Sequence, residues 1–365
     1  MNETLFHSFA DSPRTRAPAG DIRVLIVDDS LTARSVLSRI VSEASGLTLA
    51  GAVSSAEAAL TLLTRERTDV VLLDLEMPGM GGLAALPLVQ AQAPQAKVLV
   101  VSRLTADGVE ASVAALASGA ADTLLKPEVG GFDSDYRETL VARIVALGRS
   151  VTAVPVQGVQ PPRPRPRAAS RERARIVAIG ASTGGIHALG QLLRRLPDNP
   201  GVPVLVTQHL LPSFNAAFRG QLRAMTRMPV VSPTDREPLL PGHIYVAPGD
   251  AHICVVEAAS GHAIRLDRRR TVSGCMPSLD PMFESIARTH RAAALGVVLT
   301  GMGRDGFEGA RTVCEAGGTV LAQDEASSAV WGMPGAVVRG GLASDCCDPR
   351  SLGDRVGELV RCTIR

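Results

Sequence analysis

The chain has 365 residues, of which 45% are hydrophobic and 20% are charged, and its formal net charge is +2. This composition is ordinary for a soluble globular protein with room for two cores, and it gives no support to a dedicated nucleic-acid binder. No run approaches the ~18 apolar residues of a membrane span, and the N-terminus lacks a signal-peptide pattern. We therefore expect a cytoplasmic protein with no nucleic-acid partner and no direct membrane insertion.

The ends of the first domain are suggested by composition. Residues 1–20 read as a disordered extension, and a regular pattern begins at Asp21. Four apolar runs then predict buried strands separated by helices, namely "IRVLIVDDS", "DVVLLDLEMPG", "AKVLVVS" and "ADTLLKP". Continuous apolar strands alternating with helices indicate a parallel sheet covered on both faces. Residues 21–149 are thus predicted to form a doubly wound α/β domain.

A proline-rich stretch follows the first domain. Residues 150–173 contain five prolines and few large apolar side chains, which predicts a semi-rigid linker. Its arginines and those next to it offer a site for an acidic partner, although a solvated connector is the preferred interpretation. These residues are Arg163, Arg165, Arg167, Arg171, Arg173 and Arg175.

Residues 174–365 repeat the alternation of strands and helices. The runs "RIVAIGAS", "VPVLVTQH", "ALGVVLTGMG" and "GTVLAQ" predict a second, mainly parallel sheet. Between them, "PVVSPT", "GHIYVAPG" and "AHICVVEA" are closely spaced and rich in turn residues, so we expect an antiparallel edge there. The six cysteines form no Cys-x-x-Cys pair, which indicates reduced, mostly packed thiols and neither a zinc site nor a redox dithiol.

Acidic residues close the strands of the first domain. Asp28 and Asp29 end the first strand, Asp74 ends the second, and Ser102 and Lys126 end the third and fourth. Carboxyl ends of parallel strands share one edge of a sheet, where three carboxylates require a cation such as Mg²⁺. Such a site suits phosphoryl transfer to a carboxylate, and Asp74 is the preferred acceptor because an accessible turn follows it. A single acidic residue at a strand end is usually a cap, but three carboxylates, a hydroxyl and an ammonium at strand ends, in this order, favour a site.

These motifs resemble a two-component receiver domain over about residues 21–145. The resemblance implies a flavodoxin-like fold and phosphorylation of Asp74 by a histidine kinase. It also implies Mg²⁺ held by Asp29, Asp74 and the carbonyl of Glu76, with Asp28 assisting, and a switch role for Ser102 beside Lys126. One departure is Gly81-Gly82, where receivers commonly have Asp-Gly.

In the second domain, "GASTGG" follows a predicted strand and precedes a predicted helix. The segment lacks the Lys-Ser/Thr of a Walker loop and the spacing of a dinucleotide-binding turn, but it fits Gly-x-Ser-x-Gly around Ser182. A serine that only caps the helix is the alternative. The amide of Thr183 is at the start of the helix, where an oxyanion would be stabilised.

A nucleophilic serine requires a base and a carboxylate that orients it. His209 ends the strand "VPVLVTQH", and Asp305 follows "GVVLTGMG" through a glycine-rich turn. Strand-end geometry therefore predicts a Ser182–His209–Asp305 triad. Three other aspartates remain alternatives for the third member: Asp250, Asp280 and Asp324.

Together, "IGASTGG", "TQHLLPSFNAAF", "PSLDPMFES", "VLTGMGRDG" and related segments resemble the chemotaxis protein-glutamate methylesterase domain. The resemblance implies the same triad, an oxyanion contribution from the backbone of Met302, and hydrolysis of glutamyl methyl esters on chemoreceptors. It also implies deamidation of receptor glutamines, with no cofactor for the esterase reaction. The family commonly has His-Arg where this chain has Cys275-Met276, which keeps open an alternative: a phosphorylation-controlled adaptor with an inactive hydrolase fold. We further expect the unphosphorylated receiver to pack across the triad edge.

Overall fold

The computed structural model describes residues 21–127, 132–152, 166–259 and 261–361. The predicted N-terminal extension, and residues 153–165 of the predicted linker, lie outside these ranges. No helix in the described ranges has the length and apolar character needed to cross a bilayer. The described chain contains two parallel sheets and one separate antiparallel pair of strands.

The first sheet has five parallel strands in the order β2-β1-β3-β4-β5. The strands are β1 (Ile22–Val27), β2 (Leu47–Val53), β3 (Val70–Leu73), β4 (Lys97–Ser102) and β5 (Asp122–Leu125). Helices connect them: α1 (Leu31–Glu43), α2 (Ala56–Leu63), α3 (Gly81–Gln92), α4 (Ala106–Ala117) and α5 (Ser134–Thr152). The sequence predicted four strands and missed β2. This strand is at the edge and half-exposed, so it lacks the continuous apolar run that marks the inner strands.

The second sheet has seven strands, all parallel, in the order β14-β13-β12-β6-β7-β9-β8. They are β6 (Ile176–Ala181), β7 (Val204–Gln208), β8 (Val230–Val231), β9 (Ile244–Val246), β12 (Ala294–Val298), β13 (Thr319–Gln323) and β14 (Asp345–Cys347). The antiparallel pair, β10 (His252–Ala258) and β11 (Gly261–Asp267), forms a ribbon of its own. The mainly parallel α/β fold is therefore confirmed.

The expectation of an antiparallel edge was wrong for two of its three strands. β8 and β9 pair in parallel, and β9 also pairs in parallel with β7. Residues 232–243 connect β8 to β9, and a connection of about a dozen residues is long enough for a parallel crossover. Only the third predicted strand, β10, is antiparallel, and its partner β11 was not predicted.

Helices cover the second sheet, and its central strands β6 and β12 are therefore buried along their whole length. The helices are α6 (Gly185–Leu193), α7 (Asn215–Met225), α8 (Leu279–His290), α9 (Phe307–Glu315), α10 (Met333–Arg339) and α11 (Pro349–Arg361). The chain enters at β6, adds β7 on one side and later β12 on the other. The carboxyl end of β6 is thus a topological switch point, where open α/β sheets bind ligands.

The described part of the predicted linker is docked on the second sheet's unit. The Arg167 guanidinium donates to the carbonyl oxygens of Cys314 and Gly318, at 2.7 and 2.9 Å. Arg173 likewise donates to the carbonyl of Val360. Free carbonyls at helix ends and turns accept hydrogen bonds from such guanidinium groups. A solvated connector is therefore a poor description of residues 166–173.

The receiver-like unit packs on the second unit through α4, which contacts α6 and α7. The apolar core is continuous across this contact, since buried residues of both units belong to one cluster. His187 on α6 is also hydrogen-bonded to the carbonyl of Ala117, at 3.0 Å from ring Nδ1 to oxygen. The two sheets are thus held in one arrangement by direct contacts.

Candidate active site and phosphorylation site

The carboxyl end of the first sheet carries a charged cluster. Lys126 Nζ lies 2.7 Å from Asp28 Oδ2 and 2.5 Å from Asp74 Oδ2. One carboxylate oxygen from each of Asp28, Asp29 and Asp74 lies within 4.8 Å of the others. Burial raises the pKa of Asp74, and the Lys126 ammonium opposes that rise. The structure therefore brings together four of the residues that the sequence placed at this edge.

These carboxylates fit a divalent cation of the Mg²⁺ type. All three offer hard oxygen donors, and Asp29 is exposed, so the site is open to water. The Glu76 amide donates to Asp74 Oδ1 at 3.1 Å, which fixes the turn that carries the Glu76 carbonyl. Gly82 lies directly over Asp74, where an added Cβ would be 2.0 Å from the Asp74 carbonyl oxygen. The Gly81-Gly82 departure from the receiver pattern thus keeps the glycine that this contact requires.

Ser102 is fully buried and turns toward α4. Its hydroxyl lies 2.7 Å from that of Ser112, which in turn donates to the carbonyl of Gly108 at 2.7 Å. Because the Ser112 proton is engaged with that carbonyl, Ser102 is the donor of the shared bond. The predicted switch hydroxyl is therefore bonded to the helix that contacts the second unit.

At the switch point of the second sheet, an imidazole and a carboxylate meet. His209 Nε2 lies 2.8 Å from Asp305 Oδ2, and the two side chains are 17% and 2% exposed. His209 directly follows β7, and Asp305 follows β12 through the turn that precedes α9. The His209–Asp305 pair therefore connects the ends of β7 and β12, the two strands that flank β6.

Four donors surround the Asp305 carboxylate. Besides His209, they are the Leu279 amide at 2.7 Å, Ser278 Oγ at 2.5 Å and Ser273 Oγ at 3.0 Å. Burial favours a higher pKa for Asp305, but the bonds from His209, Ser278 and Leu279 outweigh it and hold the pKa below its ordinary value. Asp305 is therefore an anion positioned to orient the imidazole, and Ser278 and Ser273 are positioning residues that the sequence did not reveal.

Ser182 follows β6 and is half-buried, beside the backbone of His209. Ala181 pairs with Gln208, and the His209 amide donates to the Ala181 carbonyl at 3.0 Å. Within the described ranges the Ser182 hydroxyl makes no hydrogen bond, although catalytic bonds in unliganded sites are often long. Gly184, the last glycine of the motif, has φ +76°, and an added Cβ would lie 2.5 Å from Ala329 Cβ. The sharp turn that presents Ser182 thus needs glycine there.

The two predicted oxyanion donors lie beside this turn. Thr183 is buried and precedes α6. Met302 is 45% exposed and lies in the turn between β12 and α9. In the part of the chain that the structure describes, neither backbone amide donates a hydrogen bond to protein. Both are therefore available to a substrate oxygen.

The other three aspartates that were alternatives for Asp305 are engaged elsewhere. Asp250 pairs with Arg268, Asp280 accepts from the Gly309 amide, and Asp324 accepts from Ser327. Burial raises the pKa of Asp280 to about 6. The contact to the imidazole that a third triad member requires is made by Asp305.

Comparison with known proteins agrees with this geometry. Residues 177–356 match the family model described as CheB methylesterase, and residues 24–130 match the response regulator receiver domain. A protein-glutamate methylesterase/protein-glutamine glutaminase of Maricaulis maris is 38% identical, over 94% of this chain and 96% of that protein. One from Caulobacter vibrioides is 41% identical, over 93% of this chain and 99% of that protein.

The chain belongs to the protein-glutamate methylesterase/protein-glutamine glutaminase family.

A solved structure is also similar to the second unit. The CheB methylesterase catalytic domain of Thermotoga maritima is 33% identical and covers 51% of this chain and 98% of that one, with a TM-score of 0.50. The α/β fold with a receiver unit and a methylesterase unit, predicted from the sequence, is therefore confirmed for this member of the methylesterase family.

The receiver unit of this methylesterase-family chain touches the turn that carries Ser182. The Gly184 amide donates to the Ala121 carbonyl at 2.6 Å, and Thr183 Oγ1 donates to Asp122 Oδ2 at 3.0 Å. Asp122 also lies 3.0 Å from the guanidinium of Arg143 on α5. The start of β5 is therefore hydrogen-bonded directly to the candidate nucleophile's loop.

Cys275 is a further residue at this site to which the sequence assigned no role. It was noted only as a departure from the family's His-Arg pair. In the fold its thiol approaches the His209–Asp305 pair, with one donor atom from each residue within 4.8 Å of the others. Because Cys275 lies on a loop far from both in the chain, no local spacing signalled this cluster.

Proposed function

We propose that this chain hydrolyses the γ-methyl esters of glutamate side chains on chemoreceptors and deamidates receptor glutamines. The His209–Asp305 contact at 2.8 Å, beside the end of the strand that carries Ser182, is the observation that supports this most directly. The names of the relatives, protein-glutamate methylesterase/protein-glutamine glutaminase, support the same reaction. Release of methanol from a methylated chemoreceptor is the assay that tests it.

In this proposal Ser182 is the nucleophile. Because Nε2 of His209 is engaged by Asp305, the other ring nitrogen, Nδ1, takes the Ser182 proton as Oγ attacks the ester carbonyl. The amides of Thr183 and Met302 receive the negative charge that develops on the carbonyl oxygen. The imidazolium then gives its proton to the departing methoxide, so methanol leaves and an acyl-enzyme remains.

Water completes the cycle. His209 removes a proton from a water molecule that attacks the acyl carbon, and the bond to Ser182 Oγ breaks as that oxygen regains a proton. The product is a glutamate carboxylate. A glutamine side chain fits the same geometry and releases ammonia, but methoxide is the better leaving group, so the ester reacts faster. No step requires a cofactor.

An inactive adaptor is the less favoured function. A chain that had lost hydrolysis would have no reason to retain a buried carboxylate that accepts four hydrogen bonds, one of them from an imidazole that is largely buried. The relatives are named for hydrolytic activities, which gives the adaptor no support.

We further propose that residues 21–149 act as a regulatory receiver and residues 174–365 as the hydrolase. A histidine kinase would supply the phosphoryl group to Asp74, with Asp28, Asp29, Asp74 and the Glu76 carbonyl holding Mg²⁺. The ion, when bound, neutralises charge on the transferred phosphoryl group. Lys126 neutralises the remaining charge from the opposite side, since its ammonium already contacts two of the carboxylates.

Regulation in this proposal passes through Ser102 and α4. A phosphoryl group on Asp74 attracts the Ser102 hydroxyl, which breaks its bond to Ser112 on α4. Since α4 contacts α6 and α7, a change in α4 weakens the docking of the receiver at the Ser182 turn. By linkage, phosphorylation activates only as far as it disfavours the docked state.

Asp74→Asn is expected to abolish activation by a phosphodonor. The amide cannot form an acyl phosphate, so acetyl phosphate with Mg²⁺ should no longer raise methanol release from receptor, while the basal rate persists. Asp107→Asn, an exposed aspartate at the start of α4, is the matched control and should respond like the parent chain. Activation that survives in Asp74→Asn would exclude Asp74 as the acceptor.

Asp122→Ala is expected to raise the rate of the unphosphorylated chain. The change removes the bond from Thr183 and the ion pair with Arg143, and one lost hydrogen bond of about 1 kcal/mol shifts docking about fivefold. Methanol release without phosphodonor measures the effect, and Asp107→Ala serves as control. An unchanged basal rate in Asp122→Ala would show that this contact does not restrain the hydrolase.

A further inference from the structure

A cluster of three different metal-binding groups lies in the second unit. It contains a ring nitrogen of His209, the thiol of Cys275 and a carboxylate oxygen of Asp305, all within 4.8 Å of one another. The three residues come from three separate segments: the end of β7, the loop before α8, and the turn after β12. Their convergence is therefore a property of the fold and not of local sequence.

The donor set is selective. A thiolate, an imidazole and a carboxylate together suit Zn²⁺, whereas Mg²⁺ prefers the all-oxygen group of Asp28, Asp29 and Asp74. In a tetrahedral zinc site the sulfur and nitrogen donors are about 3.5 Å apart, which follows from metal–ligand bonds of about 2.3 and 2.0 Å. The three donors of this cluster lie within 4.8 Å of one another, so small side-chain rotations can place them around one ion.

Hydrogen bonds position the residues of this cluster. Asp305 is fixed by Ser278, Ser273 and the Leu279 amide, as metal-binding carboxylates are fixed by outer hydrogen bonds. Cys275 is half-exposed and lies in a mostly exposed loop at residues 268–276. The Cys275 amide donates to Ser273 Oγ, which itself donates to Asp305, so these bonds hold the loop that carries the thiol beside the pair of donors.

We propose that His209, Cys275 and Asp305 bind one Zn²⁺ ion, and that its binding reversibly blocks the hydrolase. The ion replaces the proton of the Cys275 thiol, which is released to solvent, and water fills the remaining coordination position. The ring proton of His209 then lies on the nitrogen that does not hold the metal, so the imidazole no longer accepts a proton from Ser182. The binding step stands by itself, whereas the block rests on the proposed function.

Co²⁺ tests the binding directly, because a thiolate bound to Co²⁺ gives a near-ultraviolet charge-transfer band. The full chain titrated with CoCl₂ should develop this band, and ZnCl₂ should remove it by displacement. Cys275→Ser should lose the band and weaken metal binding at this site at least about tenfold. Cys347→Ser, which alters another half-buried thiol beside Cys346, is the matched control and should keep the band. Co²⁺ held by the receiver carboxylates gives no such band.

Hydrolysis supplies the second measurement. ZnCl₂ should inhibit methanol release, and a chelator should restore it. Cys275→Ser should need at least about ten times more ZnCl₂, with each variant compared to its own uninhibited rate. A band that persists in Cys275→Ser, or equal inhibition of that variant, would overturn the proposal. A full chain that shows the band but never releases methanol would refute the proposed function and leave the metal site standing.

Discussion

Ser182→Ala is expected to lower hydrolysis of receptor methyl esters by about 10⁴-fold or more. Alanine has no oxygen to attack the ester carbonyl, and the residual rate comes from the oxyanion donors and from binding. The fold should be unaffected, because the Ser182 amide and carbonyl keep their bonds to the Thr300 carbonyl and the Gly185 amide. Methanol release and receptor binding, measured on the same samples, separate catalysis from association.

The control for this substitution is another serine hydroxyl far from the site. Ser351→Ala alters an exposed serine on α11 whose hydroxyl donates to nearby Asp348, and it should retain the parent rate. If Ser182→Ala released methanol within tenfold of the parent chain, a different nucleophile would be required. The serine hydrolase mechanism would then be wrong.

Asp305→Asn is expected to lower the rate by about 10³- to 10⁴-fold while retaining the folded structure. The carboxylate accepts from His209 Nε2 and Leu279 on one oxygen and from two serines on the other. An amide has only one acceptor oxygen for these four groups, and it carries no negative charge to stabilise the imidazolium that forms when His209 takes the Ser182 proton. The lost bonds should also lower the free energy of unfolding by about 1–3 kcal/mol.

Asp280→Asn is the matched control for this effect. Asp280 is also a partly buried aspartate near the start of α8, but it bonds to the Gly309 amide and not to the imidazole. It should lose little activity, and thermal unfolding of both variants separates stability from catalysis. Equal rates in Asp305→Asn and Asp280→Asn would remove Asp305 from the site.

The candidate sites were predictable because parallel strands end at one edge. Asp28, Asp74 and Lys126 each follow an apolar run. The proximity of their charged groups could therefore be predicted without knowing how the helices pack. The same rule brought His209 and Asp305 together from segments 96 residues apart. Where a buried strand leads directly into a functional residue, the sequence therefore carries most of the geometry.

Features that depend on long-range packing were not predictable. The edge strands β2 and β14 lack long apolar runs, and the parallel pairing of β8 with β9 depends on the path of the intervening crossover. The Cys275 thiol reaches the imidazole only because its loop folds back over the switch point. The contact between the receiver and the Ser182 turn likewise joins residues more than 60 positions apart.

That contact has a kinetic consequence. The Gly184 amide, two residues from the candidate nucleophile, donates to the carbonyl oxygen of Ala121, so under the proposed function we expect the docked receiver to obstruct an incoming receptor helix. The receiver unit and the receptor would then compete for the Ser182 turn. The receiver is present there at an effective concentration in the millimolar range because it is tethered. We expect restraint of this kind to raise KM and leave kcat unchanged, so that a high local concentration of receptors overcomes it without phosphorylation.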